Sequence, residues 1–273
     1  MVMEEMFDHS SIAEAVVAGV AGLLLGGHAT VLAHRVPAKE KILVTGCRCP
    51  NCDAQLRLWD QIPVVSWCLL RGKCRSCHSP IPLRYPAIEL ATGAACFVAG
   101  LRYQAPLALF GMMLAIFTTV TLSATDLDQR LIPKRIVYGG FCLVAIPLTL
   151  SIPWGMGLSP ELTVKDLTNA VVSGAVVGLF FFVTHMLSPK GLRFGDVRMA
   201  ALVGFILGWV SPLTAVLGIL VALGAAVVVG AVLAIHRRST KVALPLAPFL
   251  ATGATVGILF GPTVAQLSIP LGR

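Results

Sequence analysis

The chain has 273 residues, of which 56% are hydrophobic and only 12% are charged, and its formal net charge is +8. A soluble domain has about 25% charged residues, so this composition leaves too little polar surface for a water-soluble globule and predicts a polytopic membrane protein. The positive charges lie between apolar runs, which is typical of membrane topology and argues against a nucleic-acid-binding protein.

Eight apolar segments predict an all-α membrane protein of about eight transmembrane helices. The segments cover approximately residues 12–32, 87–101, 106–124, 136–152, 167–187, 197–210, 212–235 and 244–267. A membrane helix needs about 20 residues, so we expect polar helical residues to extend the short segments 87–101 and 197–210. Residues 1–10 include three acidic residues and no Lys or Arg, which favours a retained first helix over a cleaved signal peptide.

The distribution of Lys and Arg predicts the orientation of these helices. With the first long loop on the cytoplasmic side, 18 of the 21 basic residues are cytoplasmic, and the exceptions are Arg102, Lys165 and Arg273. An even number of spans with both termini outside gives this bias. We therefore divide the chain into a first transmembrane helix (1–34), a cytoplasmic loop (35–86) and a transmembrane core (87–273), with membrane lipid as a partner.

The cytoplasmic loop contains two CxxC motifs separated by 21 residues. Their thiols belong to Cys49, Cys52, Cys74 and Cys77. Four such ligands suit tetrahedral zinc and leave no open position for a substrate, so we expect a structural ion. A redox pair and disulfides are the alternatives, and a cytoplasmic location argues against stable disulfides. Cys47 is a fifth thiol that could replace a ligand, whereas Cys68 lies in an apolar stretch and is expected to be buried.

Two carboxylates lie where a predicted membrane helix meets the cytoplasm. Asp126 ends the third apolar segment and Asp196 begins the sixth, so the predicted topology places both at a similar depth on one side. Two neighbouring carboxylates can share a proton, so that one activates water and the other protonates a peptide. The residues leave open two alternatives, which are a helix cap at Asp196 beside solvated loop charges and a proton-coupled transporter.

Several motifs follow one another along most of the chain. They are Gly22-Leu-Leu-Leu-Gly26, Arg35-Val-Pro37, both CxxC pairs, Asp60-Gln-Ile-Pro63-Val-Val-Ser66-Trp67, Leu70-Arg-Gly72-Lys-Cys74, Leu83-Arg-Tyr-Pro86-Ala-Ile-Glu89-Leu-Ala-Thr92-Gly93, Asp126-x6-Pro133 and Gly195-Asp196-Val-Arg198. In this combination the chain resembles the prepilin peptidases, the type IV leader peptidase family of intramembrane aspartyl proteases.

The resemblance implies an endopeptidase that removes the leader peptide of prepilins or pseudopilins at the cytoplasmic face of the bacterial inner membrane. It assigns catalysis to Asp126 and Asp196, and the spacing to the motif proline favours Asp126 over Asp128. Family members with this zinc loop often also methylate the new amino terminus with S-adenosylmethionine. Glu89 and Gly93 match positions that the family links to methylation, although a cap-like charge and a packing glycine would explain them equally.

The chain departs from the usual family pattern at three places. Gly27-His28-Ala29-Thr30 stands where Ser-Phe-x-Asn is usual, Lys134 replaces an acid or amide after the motif proline, and Arg193 replaces the first glycine of Gly-x-Gly-Asp. A peptidase without methyltransferase activity is therefore one alternative to the bifunctional enzyme. A zinc-stabilised proton-coupled transporter is the alternative from a different class.

Overall fold

The computed structural model describes residues 9–38, 48–49, 51–152, 164–188, 191–237 and 244–268. Within these ranges there are helices and two isolated β-bridges but no strand, which confirms the all-α fold class. In chain order the helices are α1 (His9–Arg35), a 3-10 helix (Leu58–Gln61), α2 (Val65–Leu69), α3 (Arg84–Arg102), α4 (Pro106–Gln129), α5 (Lys134–Leu150), α6 (Val164–Leu187), α7 (Phe194–Gly208), α8 (Pro212–Arg237) and α9 (Ala247–Ser268).

Five of the described helices are long and apolar enough to cross a membrane. The candidate spans are Ser11–Arg35, Pro106–Gln129, Val164–Leu187, Pro212–Arg237 and Ala247–Val264. Large apolar side chains are exposed on α6 and α8, for example Leu179 (62% exposed) and Ile235 (78% exposed), and such outer faces suit lipid better than water. Helices α3, α5 and α7, of 19, 17 and 15 residues, are not among these spans, so a total of about eight spans stays a prediction.

The chain divides into two compact units, Met1–Leu101 and Arg102–Arg273. In the first unit, small residues bring α1 and α3 into close contact. A Cβ added to Gly22 would lie 2.6 Å from the Cβ of Cys96, and one added to Gly26 would lie 2.7 Å from the Cα of Glu89. Glycines at such points let helix backbones approach closely, which gives a packing reason for both glycines of the Gly22-Leu-Leu-Leu-Gly26 motif.

Helix α7 forms the centre of the second unit. Eleven of its 15 residues are buried, including Met199, Leu202 and Ile206. It contacts α4, α5, α6, α8 and α9, because a helix that is apolar on every side requires partners on every side. As a result, the first turn of α7 brings Asp196 close to the ends of neighbouring helices.

Tyr103 supports α9 where Pro262 interrupts its hydrogen bonds. Proline has no N–H, so Pro262 leaves the carbonyl oxygen of Ile258 without its helical donor. The buried hydroxyl of Tyr103 donates to this oxygen at a distance of 2.7 Å. The helix therefore continues to Ser268, while its first residue, Ala247, lies beside the end of α4.

Candidate active site and metal centre

Asp126 lies in the last part of α4 and is only 4% exposed. The helix ends at Arg130, whose left-handed conformation (φ 50°, ψ 40°) turns the chain away from the helix axis. Oδ2 of Asp126 accepts a hydrogen bond of 3.2 Å from the backbone N–H of Ala247, the first residue of α9. Because the first N–H groups of a helix have no partner within it, they favour a carboxylate at this position.

Asp196 lies in the first turn of α7 and is 7% exposed. Its Oδ2 accepts a hydrogen bond of 2.9 Å from the backbone N–H of Arg193, the residue that precedes the helix. This bond is half of a capping box, so Asp196 does contribute to capping α7. Capping does not explain why this carboxylate lies in a cleft with a second one.

The two aspartates line one small cleft of about 170 Å³. The other lining residues are Arg130, Leu131, Ile132, Arg193, Gly195 and Arg198. They belong to two segments only, the end of α4 with the turn after it and the beginning of α7 with the residue before it. Asp128 is exposed and does not line the cleft. Two carboxylates beside a cleft that can hold water could serve acid–base chemistry on a bound peptide.

Gly195 allows these two segments to approach each other. A Cβ added to Gly195 would lie 2.9 Å from the Cβ of Ile132, a distance that real Cβ atoms essentially never show. Ile132 is itself 8% exposed and has little room to move. The glycine next to Asp196 is therefore required by the close approach of the turn that follows Asp126.

Of the departures from the family pattern near the aspartate motifs, Arg193 lines this cleft and Lys134 does not. The guanidinium of Arg193 donates a hydrogen bond from Nη1 to the backbone carbonyl oxygen of Arg130. Arg193 thus contacts Asp196 through its backbone and the end of α4 through its side chain. Lys134, the first residue of α5, is exposed.

The four predicted zinc ligands lie together in the first unit. The Sγ atoms of Cys49, Cys52, Cys74 and Cys77 are all within 4.8 Å of one another. Those of Cys49 and Cys77 are 3.8 Å apart. Zn–S bonds of about 2.3 Å in a tetrahedral site would place two sulfurs about 3.8 Å apart, so both the donor set and the spacing fit zinc. Cys47 lies outside the described residues.

The two CxxC turns have the same backbone conformation. Asp53 and His78 stand at equivalent positions, four residues after the first cysteine of each motif, and both have a φ of 55°. Their N–H groups donate to the carbonyl oxygens of Cys49 and Cys74, at 2.9 Å and 3.0 Å respectively. An isolated β-bridge closes each turn. Two similar turns thus present two sulfurs each to a common centre.

Hydrogen bonds prepare two of these thiols for a metal. The hydroxyl and backbone of Ser79, together with the amide of Asn51, lower the pKa of Cys77 to about 5. Backbone N–H groups of Asn51 and Cys52 lower the pKa of Cys49. Since the thiolate is the form that binds metals, these contacts favour metal binding at neutral pH.

The rest of the cysteine loop also has defined contacts. Arg75 Nη2 lies 2.6 Å from Oδ1 of Asp60, whose side chain is 4% exposed, and this hydrogen bond holds the pKa of Asp60 below its usual range. Cys68 is exposed, so the expectation that it is buried is wrong. The apolar stretch around it forms only the five-residue helix α2, which buries none of its residues.

Glu89 attaches this loop to α3. Val64 has the rare backbone angles φ 60° and ψ −50°, and the N–H of Val65 donates to the carbonyl oxygen of Pro63 across it. This is a γ-turn with positive φ, which is strained, above all at a β-branched residue. Oε2 of the half-buried Glu89 accepts the Val64 N–H at 2.7 Å.

Gly93 and the motif residues of α1 surround this attachment. A Cβ added to Gly93 would lie 2.7 Å from Cδ2 of Leu23, so the packing of α3 against α1 requires a glycine at this position. A Cβ on Gly27 would lie 3.5 Å from Oε1 of Glu89, so this departure from the family pattern borders the carboxylate. His28 and Thr30 instead lie at hydrogen-bond distance, 2.9 Å and 2.8 Å, from carbonyl oxygens of their own helix.

Some contacts at the cleft were not predictable from the sequence. Nothing marks the N–H of Ala247 as the donor to Asp126, because every non-proline residue has such a group. The contact of Arg193 with Arg130 depends on where α4 ends, and neither residue type indicates the other. The one signal in the sequence that marks Arg193 is its departure from the family pattern.

Comparison with known proteins gives two family matches. The Bacterial Peptidase A24 N-terminal domain matches residues 20–103, and the Type IV leader peptidase family matches residues 107–235. The boundary between these matches agrees with the division of the chain into two compact units.

Several curated proteins are similar over most of the chain, and all of those described here are named prepilin leader peptidase/N-methyltransferase. The protein of Stutzerimonas stutzeri is 29% identical, over 98% of this chain and 98% of its own length. The protein of Bacillus subtilis is 31% identical, over 92% of this chain and 96% of its own length. The protein of Dickeya chrysanthemi is 33% identical, over 85% of this chain and 79% of its own length. No solved structure matches.

Proposed function

The chain belongs to the type IV leader peptidase family, and on that premise we propose that it is a membrane aspartyl endopeptidase which removes the leader of prepilin-like proteins and then N-methylates the new amino terminus. The relatives named above carry both activities in their names. The observation that supports the peptidase most directly is the cleft, which is lined by two buried carboxylates from two separate segments of the chain.

In the proposed hydrolysis, Asp126 and Asp196 share one proton. The ionised carboxylate takes a proton from water while the water oxygen bonds to the scissile carbonyl carbon, and the protonated carboxyl donates its proton to the carbonyl oxygen. The gem-diol then collapses: one hydroxyl proton passes to the carboxylate that gave up its proton, the C–N bond breaks, and the carboxyl that took the proton from water protonates the leaving nitrogen. The products are the carboxyl terminus of the leader and a new amino terminus.

We place the cleft at the cytoplasmic face of the bacterial inner membrane. The charge bias of the loops supports this orientation, since 18 of the 21 basic residues fall on the side that carries Asp126 and Asp196. The exposed apolar faces of α6 and α8 support contact with lipid. The proposed substrates are prepilins or pseudopilins.

The cysteine cluster is proposed to hold a structural zinc ion. All four ligands come from one loop, and a filled four-cysteine site has no position for a substrate. The ion would therefore stabilise the loop that carries the Pro63–Val64 turn and would take no part in hydrolysis.

The proposed methylation uses S-adenosylmethionine, which supplies an electrophilic methyl group when it is bound. Glu89 and Gly93 already have structural contacts, one with the Val64 N–H and the other with α1. We therefore treat both as positioning residues and assign neither of them a contact with the methyl donor.

The test of the proposed function is a reaction of the full-length protein in detergent with a candidate prepilin and S-adenosylmethionine. Mass spectrometry should find a shortened pilin carrying one additional methyl group. Cleavage without the methyl group would favour the peptidase that lacks methyltransferase activity. An uncleaved prepilin, together with proton-linked flux in proteoliposomes, would favour the transporter instead.

Substitution of Gly195 is expected to separate the two aspartates. In Gly195→Ala the new methyl group meets Ile132, so the beginning of α7 and the turn after α4 must move apart. A displacement of about 1 Å near reacting groups can cost about a hundredfold in rate, and we expect a loss of this size in prepilin cleavage.

Gly139→Ala is the matched control for this substitution, because a Cβ at Gly139 meets nothing within 4 Å. It should cleave prepilin at the wild-type rate. Cleavage rates are compared at equal amounts of membrane-inserted protein. Unchanged cleavage by Gly195→Ala would contradict the close approach that we describe.

Substitution of Glu89 is expected to reduce methylation by releasing the γ-turn. Glu89→Ala removes the acceptor for the Val64 N–H, and loss of a charged hydrogen bond corresponds to about tenfold or more. Glu89→Gln keeps an acceptor oxygen and should retain most methylation. The measurement is the ratio of methylated to unmethylated mature pilin.

The exposed residue Glu14 on α1 provides a control, and Glu14→Ala should leave this ratio unchanged. Limited proteolysis should cut the loop of Glu89→Ala faster than that of Glu89→Gln. If the Gln variant methylates as poorly as the Ala variant, the carboxylate charge is what matters and the positioning role is wrong.

A further inference from the structure

Arg198 combines a place in the cleft with a buried side-chain donor. Arg198 lines the cleft together with Asp126 and Asp196. Its Nε is buried and has no hydrogen-bond partner in the described part of the chain. A buried donor without an acceptor destabilises a protein, and more so when the group is charged. Such a donor at a reaction cleft indicates an acceptor that arrives with the ligand.

Aromatic side chains fix the position of the Arg198 guanidinium. Its central carbon lies 4.6 Å from the centre of the Phe194 ring and 5.9 Å from that of Tyr138. No ion pair between Arg198 and either aspartate is present among the described residues. The cation–π contacts thus orient the donor without using its N–H groups, as a preorganised binding group requires.

The charges around the cleft favour an oxygen acceptor. Three arginines, Arg130, Arg193 and Arg198, line the cleft with two aspartates. When the aspartates share a proton, as hydrolysis requires, they carry one negative charge between them. The cleft then has an excess of positive charge and suits carbonyl oxygens of a polypeptide better than basic side chains.

We infer that Arg198 is a substrate-binding residue whose Nε–H donates a hydrogen bond to a backbone carbonyl oxygen of the peptide held in the cleft. This inference rests on the proposed peptidase function. It assigns the residue two positions after Asp196 a direct contact with the substrate, in addition to the acid–base work of the aspartates. The contact would hold the peptide in register with the two carboxylates.

Arg198→Met removes the donor while keeping a long apolar side chain against Phe194 and Tyr138. We expect kcat/KM for a synthetic prepilin peptide to fall about ten- to a hundredfold, mainly through a higher KM. Arg135→Met, at an exposed position near the start of α5, is the matched control and should behave as wild type. If Arg198→Met does not accumulate in membranes, Arg198→Leu, which also lacks a donor, takes its place in the same measurements.

A direct contact can be separated from a structural role with modified peptides. Each backbone carbonyl near the scissile bond is replaced in turn by a thiocarbonyl, which accepts hydrogen bonds poorly. We expect one thioamide to lower kcat/KM of wild-type enzyme about tenfold and to have no such effect on the Arg198 variant. If every thioamide has the same effect on both enzymes, Arg198 does not contact the backbone and the inference is wrong.

The same experiment distinguishes this inference from the proposed function. Wild-type enzyme that fails to cleave the unmodified peptide would reject the peptidase itself. If wild-type enzyme cleaves the unmodified peptide, but the thioamide and the Arg198 substitution lower kcat/KM independently of each other, only the role of Arg198 is rejected.

Discussion

Asp126→Asn and Asp196→Asn are each expected to abolish prepilin cleavage while the protein still accumulates in membranes. Asparagine has nearly the same shape as aspartate, and its amide oxygen can still accept the N–H of Ala247 or of Arg193. The fold should therefore persist. What is lost is the carboxylate that takes or gives a proton, and acid–base groups of this kind contribute about a hundred- to ten-thousandfold each.

The matched control is Asp128→Asn, because Asp128 is exposed and lies outside the cleft. This variant should cleave prepilin at close to the wild-type rate. Cleavage is measured by the mass shift of the pilin at several times, with equal amounts of each membrane-inserted variant. Full processing by either Asp126→Asn or Asp196→Asn would rule out a two-carboxylate mechanism.

The double variant carries further information. In the proposed mechanism the two aspartates act as a unit, so Asp126→Asn together with Asp196→Asn should be little worse than either single substitution. Independent effects that multiply would mean that the two carboxylates serve separate steps.

Cys74→Ser and Cys49→Ser are expected to remove the zinc ion and to loosen the cytoplasmic loop. Both residues are buried at the centre of the cysteine cluster, with 5% and 7% exposure. Losing one of four thiolates weakens a structural zinc site greatly, because metal binding supplies much of the folding free energy of such a loop. We expect less than about a tenth of the wild-type zinc content.

Cys68→Ser is the control, since Cys68 lies in the same loop but is exposed and outside the cluster. It should keep one zinc ion per chain. Zinc is measured by elemental analysis of protein purified in detergent, and loop stability is measured by limited proteolysis. A strong chelator should reproduce the proteolysis pattern of Cys74→Ser with wild-type protein. Stoichiometric zinc in Cys74→Ser would rule out the four-cysteine site.

Loss of the ion should also reduce methylation more than it reduces cleavage. The loop carries Val64, whose N–H bonds to Glu89 within the first unit, whereas Asp126 and Asp196, the proposed catalytic residues, belong to the second unit. We therefore expect Cys74→Ser and Glu89→Ala to give similar ratios of methylated to unmethylated pilin. Wild-type methylation by a zinc-free variant would separate the zinc loop from that activity.

Two parts of the fold could be predicted because they depend on local sequence. Each of the eight predicted segments falls on a described helix, and five of these helices are long and apolar enough to cross a membrane, since a long apolar run has few alternatives to a helix there. The cysteine cluster could be predicted because each CxxC motif places two sulfurs within one turn. A single loop then has to bring only two such turns together.

Cys68 shows where local reasoning fails. An apolar stretch predicts burial, yet α2 is only five residues long and buries none of them. Whether an apolar residue is covered depends on what packs against it, and the stretch itself does not contain that information. The same holds for Glu89, whose family position gave no indication that a strained turn in the preceding loop uses its carboxylate.

By itself, the sequence determined an all-α protein with long apolar helices and a four-cysteine cluster, and through its family motifs it predicted Asp126 and Asp196 as the catalytic pair. The tertiary structure alone decided how Asp126 and Asp196 are held. The first N–H of α9 donates to Asp126, and the N–H of Arg193 donates to Asp196. Gly195 lets the beginning of α7 approach Ile132. The physical reason is distance along the chain. Ala247 is separated from Asp126 by 121 positions, and no local pattern encodes a contact that forms only when helices pack.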